Sequence, residues 1–415
     1  MNRDRLLQRF LRYVQVDTTA RPDAEEYPSF SGQLDLGRLL VEELRQLGLS
    51  DARQNEHGIV MATVPATVQQ VAPTMALCSH LDTSPETSGT GVKPRVIERY
   101  AGGDITLPGD TSRVIRVADN PELTSLHGRT LITSDGTTLL GADDKAGVAI
   151  IMETAAWLVE HPEVQHGPVR ICFTCDEEIG RGVEKLNLAE IGAAVCYTLD
   201  GHGSGEIDVE TFSADRAVVT VEGINIHPSI AKDRMVNAVR VAAAFIDRLP
   251  RDGLSPETTA NREGFLHPYE LVSGVAEAKV KILLRDFDAA KLADLAERLR
   301  QIAAVTMEAF PGSKIEVRIE RQYRNMAEGL TREPRAVAYA EEALRRLGRA
   351  SKRTIVRGGT DGSRLTELGL ATPNLSCGGH TPHSPLEWAC LDQMVESAEW
   401  LVSLAEVWAE APARR

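Results

Sequence analysis

The sequence predicts an α/β fold in which a mostly parallel sheet is covered by helices on both faces. Short β-branched or apolar runs alternate with segments of helical spacing along most of the chain, and polar residues follow directly where several of these runs end. From about residue 214 to 320 the predicted strands and helices follow one another in a different order, which predicts a second domain inserted into the first.

The elements of the first domain follow from the spacing of its apolar residues. Predicted helices are Arg3–Val16, Gly37–Leu47, Ala146–Glu160 and Leu391–Ala409. Predicted strands are Gly58–Val64, Thr74–His80, Pro168–Thr174, Ala193–Leu199, Arg353–Arg357 and Pro373–Cys377. The alternation favours parallel strands, since these need helical crossovers. The polar region Thr83–Leu139 contains Gly, Pro and Asp turns and predicts a hairpin excursion.

The inserted segment predicts a split β-α-β-β-α-β unit of the ferredoxin-like kind. Its predicted elements are Ala217–Val221, Asn237–Arg248, Phe265–Val272, Val275–Leu284, Ala289–Phe310 and Lys314–Ile319. The chain has 415 residues, and a single core usually stops growing at about 250–300. We therefore expect one domain built from 1–213 and 321–415 and a second from 214–320.

Composition excludes several classes of partner. The net charge is −14 and the pI about 5.3, which argues against nucleic acid or an anionic membrane surface. No apolar stretch approaches the ~20 residues that cross a bilayer. Charges interrupt the apolar positions of the first ten residues, unlike a signal peptide, so we expect a cytoplasmic protein.

The six cysteines favour a reducing compartment. Four lie in predicted buried strands, where a free thiol acts as a small apolar residue. Cys172 and Cys175 have the spacing of half a zinc ribbon, but the second pair is absent. Core packing is therefore favoured over metal binding for these two.

Four polar clusters together predict a metal site: His80 with Asp82, the Asp143 segment, Asp176-Glu177-Glu178, and His383. Open α/β sheets bind ligands at the carboxyl edge of their strands, where we expect these clusters to meet. Two imidazoles with several carboxylates suit zinc, manganese or cobalt. More than three candidate carboxylates indicate two metals sharing a bridging carboxylate, which we assign to Asp143.

Local geometry suggests roles for the remaining side chains. Adjacent residues after a strand point in different directions, so we assign Glu178 to a metal and Glu177 to the catalytic base. Asp82, two residues after His80, would orient that imidazole from behind. Asp200 closes the apolar run before it and would complete the first metal.

A series of motifs carries a resemblance to a known family over nearly the whole length: Ser79–Thr83, Thr138–Gly147, Asp176–Gly180, Leu199–Gly201, Met235–Ala238, Arg285–Asp288 and Arg357–Gly362. The chain resembles the tripeptide aminopeptidases of the co-catalytic zinc metallopeptidases, which also include glutamate carboxypeptidase and the amino-acid deacylases. The resemblance implies a zinc-exopeptidase fold with an inserted lid and dimerisation domain, a homodimer, and small peptides as substrates.

The resemblance also implies two Zn²⁺ per subunit, with Co²⁺ or Mn²⁺ able to replace them. Position by position, it assigns one metal to His80, Asp143 and Asp200 and the other to Asp143, Glu178 and His383. It places Asp82 and Glu177 at the family's two catalytic positions. His380 competes with His383 for the last ligand, and the resemblance favours His383, which Glu387 follows four residues later.

Further residues of the site come from the same resemblance. Arg357 matches the arginine that holds the substrate's terminal carboxylate, a task suited to a planar fork of donors. His227 matches the histidine that reaches across the dimer to the scissile carbonyl. The family also has a cis peptide after the bridging aspartate, here Asp143–Asp144. Asn374 is a candidate for binding the substrate backbone, and a buried structural amide is an equal alternative.

Two segments depart from the family's pattern. After His227-Pro228 the family favours glycines, whereas this chain has Ser229–Arg234, so a different loop geometry is expected. Near the last ligand the family usually has an aromatic-rich segment, whereas this chain has Gly378–Glu387. The metal ligand is kept, and the neighbouring substrate pocket is expected to differ.

Alternative functions stay open at this point. A dipeptidase or an N-acyl amino-acid amidohydrolase of the same fold would keep the metal site and change the pocket. A relative of another class would bind peptides without catalysis, but Glu177 and all five ligands are present, which argues against it. Taken singly, each acidic cluster could be a solvated loop and His227 a structural residue; their joint occurrence in order favours the metal site.

Overall fold

The computed structural model describes residues 1–411. Its helices are α1 (Arg3–Val14), α2 (Gly32–Gln46), α3 (Ala142–Glu160), α4 (Leu188–Ile191), α5 (Ala238–Asp247), α6 (Ala289–Ala309), α7 (Met326–Leu330), α8 (Arg335–Arg346), α9 (Asp361–Glu367) and α10 (Leu391–Ala409). Its strands are β1 (Arg53–Gln54), β2 (Val60–Val64), β3 (Met75–His80), β4 (Arg95–Ile97), β5 (Ile105–Thr106), β6 (Val114–Ile115), β7 (Leu131–Thr133), β8 (Val169–Thr174), β9 (Val195–His202), β10 (Glu206–Thr211), β11 (Ser213–Glu222), β12 (Phe265–Ser273), β13 (Glu277–Asp286), β14 (Lys314–Tyr323), β15 (Lys352–Val356), β16 (Asn374–His380) and β17 (Trp388–Cys390).

The chain forms two compact units. The first contains Met1–Val209, Glu328–Thr354 and the described residues from Thr360 onward. The second contains Glu210–Ala327 and Ile355–Gly359.

The first unit is built on a mixed sheet with parallel strands at its centre. The strand order is β1-β2-β8-β3-β9-β16-β17-β7-β4. Strands β8, β3, β9 and β16 are parallel neighbours, so their carboxyl ends share one edge. Antiparallel strands flank this centre, with β2 beside β8 and β17 beside β16.

Helices cover both faces of this sheet. On one face Ala76 and Cys78 of β3 pack with Ile191 of α4 and Leu365 of α9. On the other face α3 packs on β3, β9 and β16, and both α1 and α10 pack on α3. Side chains alternate between the two faces along a strand, which explains why β3 is buried throughout. The predicted α/β class is confirmed.

The second unit has its own four-stranded antiparallel sheet. The strand order is β12-β13-β11-β14, and α5 and α6 pack on it. Its core includes Val219 and Val280 from the strands and Phe245 and Leu299 from the helices. The elements follow the predicted β-α-β-β-α-β order, and the strand order is that of a ferredoxin-like unit.

Several details differ from the sequence predictions. Helices α8 and α9 were not predicted. Strand β9 continues to His202, so Asp200 lies inside the strand rather than after it. Within the Thr83–Leu139 region β5 and β6 form a small hairpin, as expected, whereas β4 and β7 extend the main sheet.

Two further properties concern the cysteines and the apolar character of the helices. All six cysteines are free and buried. Among the helices of residues 1–411, none combines the length and apolar character that spanning a membrane requires.

Candidate metal centre

The predicted ligands gather where the four parallel strands end. His80 is the last residue of β3, Glu178 lies in the short turn after β8, Asp200 lies near the end of β9, and His383 follows β16. Asp143 lies at the start of α3, where it and Asp144 have non-helical backbone angles and are joined by the expected cis peptide. The structure therefore brings all five predicted ligands to one edge of the sheet.

Asp143 lies between the two imidazoles. Its Oδ1 is 3.0 Å from His80 Nε2, and its Oδ2 is 3.3 Å from His383 Nε2. Each carboxylate oxygen thus faces a different histidine. This is the arrangement expected of a carboxylate that bridges two cations.

Glu178 and Asp200 lie at the two ends of this cluster. Glu178 Oε2 is 2.9 Å from His383 Nε2, and Asp200 Oδ1 is 3.8 Å from His80 Nε2. Burial raises the pKa of Glu178 to about 8 and that of Asp200 to about 6. Buried carboxylates with raised pKa values are costly to ionise unless positive charge lies close by.

The hydrogen bonds of His80 show that the cluster fits a cation. Its Nδ1 lies 3.1 Å from the backbone carbonyl of Asp82, which only accepts, so Nδ1 carries a proton and donates it. Burial lowers the pKa of His80, but the carboxylates of Asp143, Asp200 and Asp82 outweigh it and raise the pKa well above its ordinary value. Without a metal the ring is therefore a cation whose Nε2 donates to Asp143 Oδ1 at 3.0 Å, and a bound metal ion would replace that proton with its own positive charge.

A buried oxygen and the second imidazole support the same fit. Glu178 Oε1 is buried and has no hydrogen-bond partner among the described residues. Burial lowers the pKa of His383, but Asp143 and Glu178 outweigh it and raise the value to about 11. The donor set of two imidazoles and three carboxylates suits zinc or a similar borderline divalent ion.

Asp82 holds the turn that carries Glu177 and Glu178. Its Oδ1 accepts the Glu177 N–H at 3.1 Å and its Oδ2 accepts the Glu178 N–H at 3.0 Å. Asp82 Oδ1 is 3.4 Å from His80 Nδ1, farther than the backbone carbonyl of Asp82. The main chain at Asp82 is therefore the nearer partner of His80, and the carboxylate aligns the turn after β8.

The Glu177 carboxylate makes no hydrogen bond or ion pair within residues 1–411. Burial raises its pKa well above the ordinary value, and Asp200 and Glu178 add to the effect. An unpaired carboxylate with this environment beside the predicted metal ligands suits a group that accepts a proton.

Sequence reasoning missed how this turn is anchored. Asp176, at φ 62°, accepts hydrogen bonds from the Ser29 N–H at 2.6 Å, from the Ser29 hydroxyl and from Gln33 Nε2 at 2.7 Å. The Asp176 N–H donates in return to Gln33 Oε1 at 3.1 Å. Ser29 and Gln33 each lie more than 140 residues from Asp176 in the chain, so no local sequence pattern predicts these bonds.

His380 is engaged elsewhere. Its Nε2 lies 2.8 Å from Gln393 Oε1, its Nδ1 lies 3.4 Å from Glu122, and its ring stacks on Trp388 with centroids 3.8 Å apart. Both ring nitrogens therefore have partners away from Asp143. This geometry favours His383 as the ligand.

Asn374 is also engaged within the fold. It is buried, its Oδ1 accepts the Asp200 N–H at 3.0 Å, and its Nδ2 donates to Asp208 Oδ2 at 2.8 Å. These bonds favour the structural alternative, in which the amide fixes the main chain of Asp200. A contact with substrate stays a prediction.

Arg357 belongs to the second unit. It is half-buried, its guanidinium lies 5.4 Å from the Phe212 ring centroid and 5.7 Å from that of Phe265, and its Nη2 donates to Thr259 Oγ1 at 2.9 Å. A guanidinium has five N–H donors, so others stay available for a carboxylate.

His227 also belongs to the second unit and is exposed. Its Nδ1 lies 2.7 Å from Ser229 Oγ and accepts the Ser229 N–H at 3.3 Å. Ser229 begins the segment Ser229–Arg234, where the sequence predicted a different loop geometry. Within the described residues the Nε2 of His227 makes no hydrogen bond, so this nitrogen is available to contact a substrate.

Known proteins resemble this chain over nearly its full length. The model of Peptidase family M20/M25/M40 matches residues 135–407. A protein named Peptidase T from Geobacillus thermodenitrificans (strain NG80-2) is 43% identical over 403 residues, which cover 97% of this chain and 98% of that protein.

Solved structures share the fold. A tripeptidase from Staphylococcus aureus superimposes with a TM-score of 0.77 at 24% identity, covering 99% of this chain and 100% of that one. A dinuclear metal-binding peptidase of the M20 family from Bacillus subtilis superimposes with a TM-score of 0.65 at 15% identity, covering 99% of both chains. Since both identities are low, these likenesses bear on the fold alone. The family model and the full-length relative together show that the chain belongs to peptidase family M20/M25/M40.

Proposed function

We propose that this chain is a two-metal aminopeptidase that removes the N-terminal residue from tripeptides. The observation that carries the proposal is Asp143, whose two carboxylate oxygens face different imidazoles. The full-length relatives named Peptidase T, at about 40% identity, support the same activity.

Two Zn²⁺ ions suit the donor set, and Co²⁺ or Mn²⁺ are alternatives. His80, Asp143 and Asp200 would hold one ion, and Asp143, Glu178 and His383 the other. When bound, such ions polarise a carbonyl and lower the pKa of water.

The protein's own residues then carry the proton. Glu177 takes a proton from the attacking water and delivers it to the leaving amine. Asp82 keeps Glu177 and Glu178 in their relative positions, since each of its oxygens holds one of their N–H groups. A single turn thereby presents a base and a metal ligand together.

Substrate recognition is assigned to the second unit. Arg357 binds the free carboxylate of the tripeptide through its remaining donors and so measures substrate length. His227, acting from the partner of a homodimer, stabilises the developing oxyanion through Nε2. The predicted segment 214–320 serves as lid and dimerisation domain.

A cytoplasmic location is part of the proposal. The acidic composition and the six free, buried cysteines support it, because disulfides form in oxidising compartments.

A substrate panel tests the function. The chain is freed of metal with a chelator, reloaded with Zn²⁺, Co²⁺ or Mn²⁺, and assayed on dipeptides, tripeptides, tetrapeptides and N-acetylated amino acids. We expect activity to require metal and to be highest on tripeptides with a free amine. Preference for dipeptides or acetylated amino acids would replace the proposal by one of its same-fold alternatives, and inactivity of the fully loaded chain would leave a binding protein.

A further inference from the structure

A buried carboxylate outside the predicted site contacts the backbone around Asp143. Glu387 is only 1% exposed and lies just before β17. Its Oε2 accepts the N–H groups of Leu140 and Gly141, each at 2.7 Å, and its Oε1 accepts the Asp143 N–H at 3.0 Å. One side chain therefore binds three amides of the segment that bears the bridging carboxylate.

The local backbone explains why an acceptor is needed there. Gly141 has φ 81°, a left-handed conformation that turns the chain into α3. The Leu140 and Ala142 side chains are fully buried, so the surrounding amides have little access to water. Buried N–H groups require an acceptor, and Glu387 supplies it for three of them.

Glu387 also belongs to the segment that bears His383. The two residues are four apart, and the Glu387 N–H donates to the Ser384 carbonyl at 3.1 Å, which closes a turn between them. Glu387 therefore links the main chain of Asp143 to the loop of His383, whose Nε2 lies 3.3 Å from Asp143 Oδ2.

We propose that Glu387 is a positioning residue that sets the separation between the bridging carboxylate of Asp143 and the imidazole of His383. It contacts neither substrate nor metal in this role and acts through the backbone of residues 140–143. The inference rests on the proposed two-metal centre.

The test measures metal affinity in Glu387→Gln. Glutamine has the same size, but its NH₂ group cannot accept, so its single oxygen keeps the Leu140 and Gly141 bonds at best and the Asp143 N–H loses its partner. Partners that orient metal ligands typically contribute 10–100-fold to metal affinity. We expect a 10–100-fold loss for at least one of the two ions, measured by Zn²⁺ competition with a chelator, and an altered visible spectrum of the Co²⁺-loaded protein.

Glu153→Gln is the matched control. Glu153 is also fully buried and accepts from three residues, through the Asn2 N–H and the side chains of Arg5 and Arg9. It links α1 to α3 and has no contact with the metal cluster within the described residues. We expect this variant to lower the unfolding temperature and leave both metal affinities unchanged.

The outcomes separate this inference from the proposed function. If the wild type binds fewer than two ions, the two-metal proposal fails, and this inference fails with it. If the wild type binds two ions and Glu387→Gln binds them equally tightly, Glu387 serves stability alone and only the inference is overturned.

If Glu387→Gln does not fold, a second variant and a measurement on the wild type still test the inference. Glu387→Asp keeps the charge but withdraws the carboxylate by one methylene, and we expect the same loss of affinity in the folded chain. In the metal-free wild type the Leu140, Gly141 and Asp143 amides should exchange slowly with deuterium. Rapid exchange at all three would overturn the inference.

Discussion

Replacing Glu177 by alanine should separate catalysis from metal binding. The Glu177 side chain makes no hydrogen bond or ion pair in the described chain, whereas Glu178 Oε2 lies 2.9 Å from His383 Nε2. Asp82 holds the turn through the backbone N–H groups of both glutamates, and these remain in the variant. Glu177→Ala should therefore retain two metals and lose only the proton transfer.

The expected loss in kcat is about 10²–10⁴-fold, the usual contribution of a positioned acid–base group. This corresponds to about 2.7–5.4 kcal/mol in the activation barrier. The unfolding temperature should not fall, because the removed carboxylate has no partner and burial opposes its ionisation.

All three quantities are measured on one preparation of the variant. Mass spectrometry gives the metal content, steady-state kinetics give kcat, and thermal unfolding gives the unfolding temperature. Glu178→Ala is the matched control, since the same truncation one residue later removes a proposed ligand and should lower metal content. Loss of metal from Glu177→Ala but not from Glu178→Ala would refute the reasoning and exchange the two roles.

Three further predictions concern other parts of the chain. Amidating the tripeptide carboxylate should lower kcat/KM by the ~1.5–3 kcal/mol of a charged hydrogen bond to Arg357, and Arg357→Lys should not restore discrimination; equal turnover of both substrates would contradict this role. Mixing His227→Ala with Glu177→Ala chains under subunit exchange should restore activity, because one site of a mixed dimer is complete; no recovery in proven mixed dimers would place His227 in its own subunit's site or lid. Burial lowers the pKa of His166, so the folded state resists its protonation and loses stability as the pH falls below the unfolded value of about 6.5. His166→Gln should flatten the difference in urea-unfolding free energy between pH 7 and pH 5, and an unchanged pH dependence would show that other groups cause it.

The proposed ligands could be predicted because they lie at or near the ends of elements with a strong local pattern. β3 is a continuous buried run ending at His80, and α10 was predicted with its observed bounds because its apolar spacing extends over 19 residues. Short elements lack such a signal. Helix α9 has seven residues and β17 has three, too few for a periodicity to show.

Local sequence patterns could not predict the contacts that align the site, because the contacting residues are far apart in the chain. Ser29 and Gln33 meet Asp176 across more than 140 residues, and nothing in their own neighbourhood indicates this. Glu387 was noted only for its spacing from His383, and its three amide partners lie almost 250 residues away. The role expected of the Asp82 carboxylate stays a prediction: it lies 3.4 Å from His80 Nδ1, whereas the Asp82 main-chain carbonyl lies 3.1 Å from the same atom.

The anchoring of Asp176 by Ser29 and Gln33 limits how this protein can be shortened. The segment that matches the family model begins at residue 135, so it contains Asp176, Glu177 and Glu178 but neither of the two residues that hold their turn. It also omits His80. A fragment cut at residue 135 would therefore keep the turn that carries Glu177 and Glu178 but lose both residues that hold it. For expression and engineering, a shortened chain keeps both contacts of this turn only if it begins at or before Ser29.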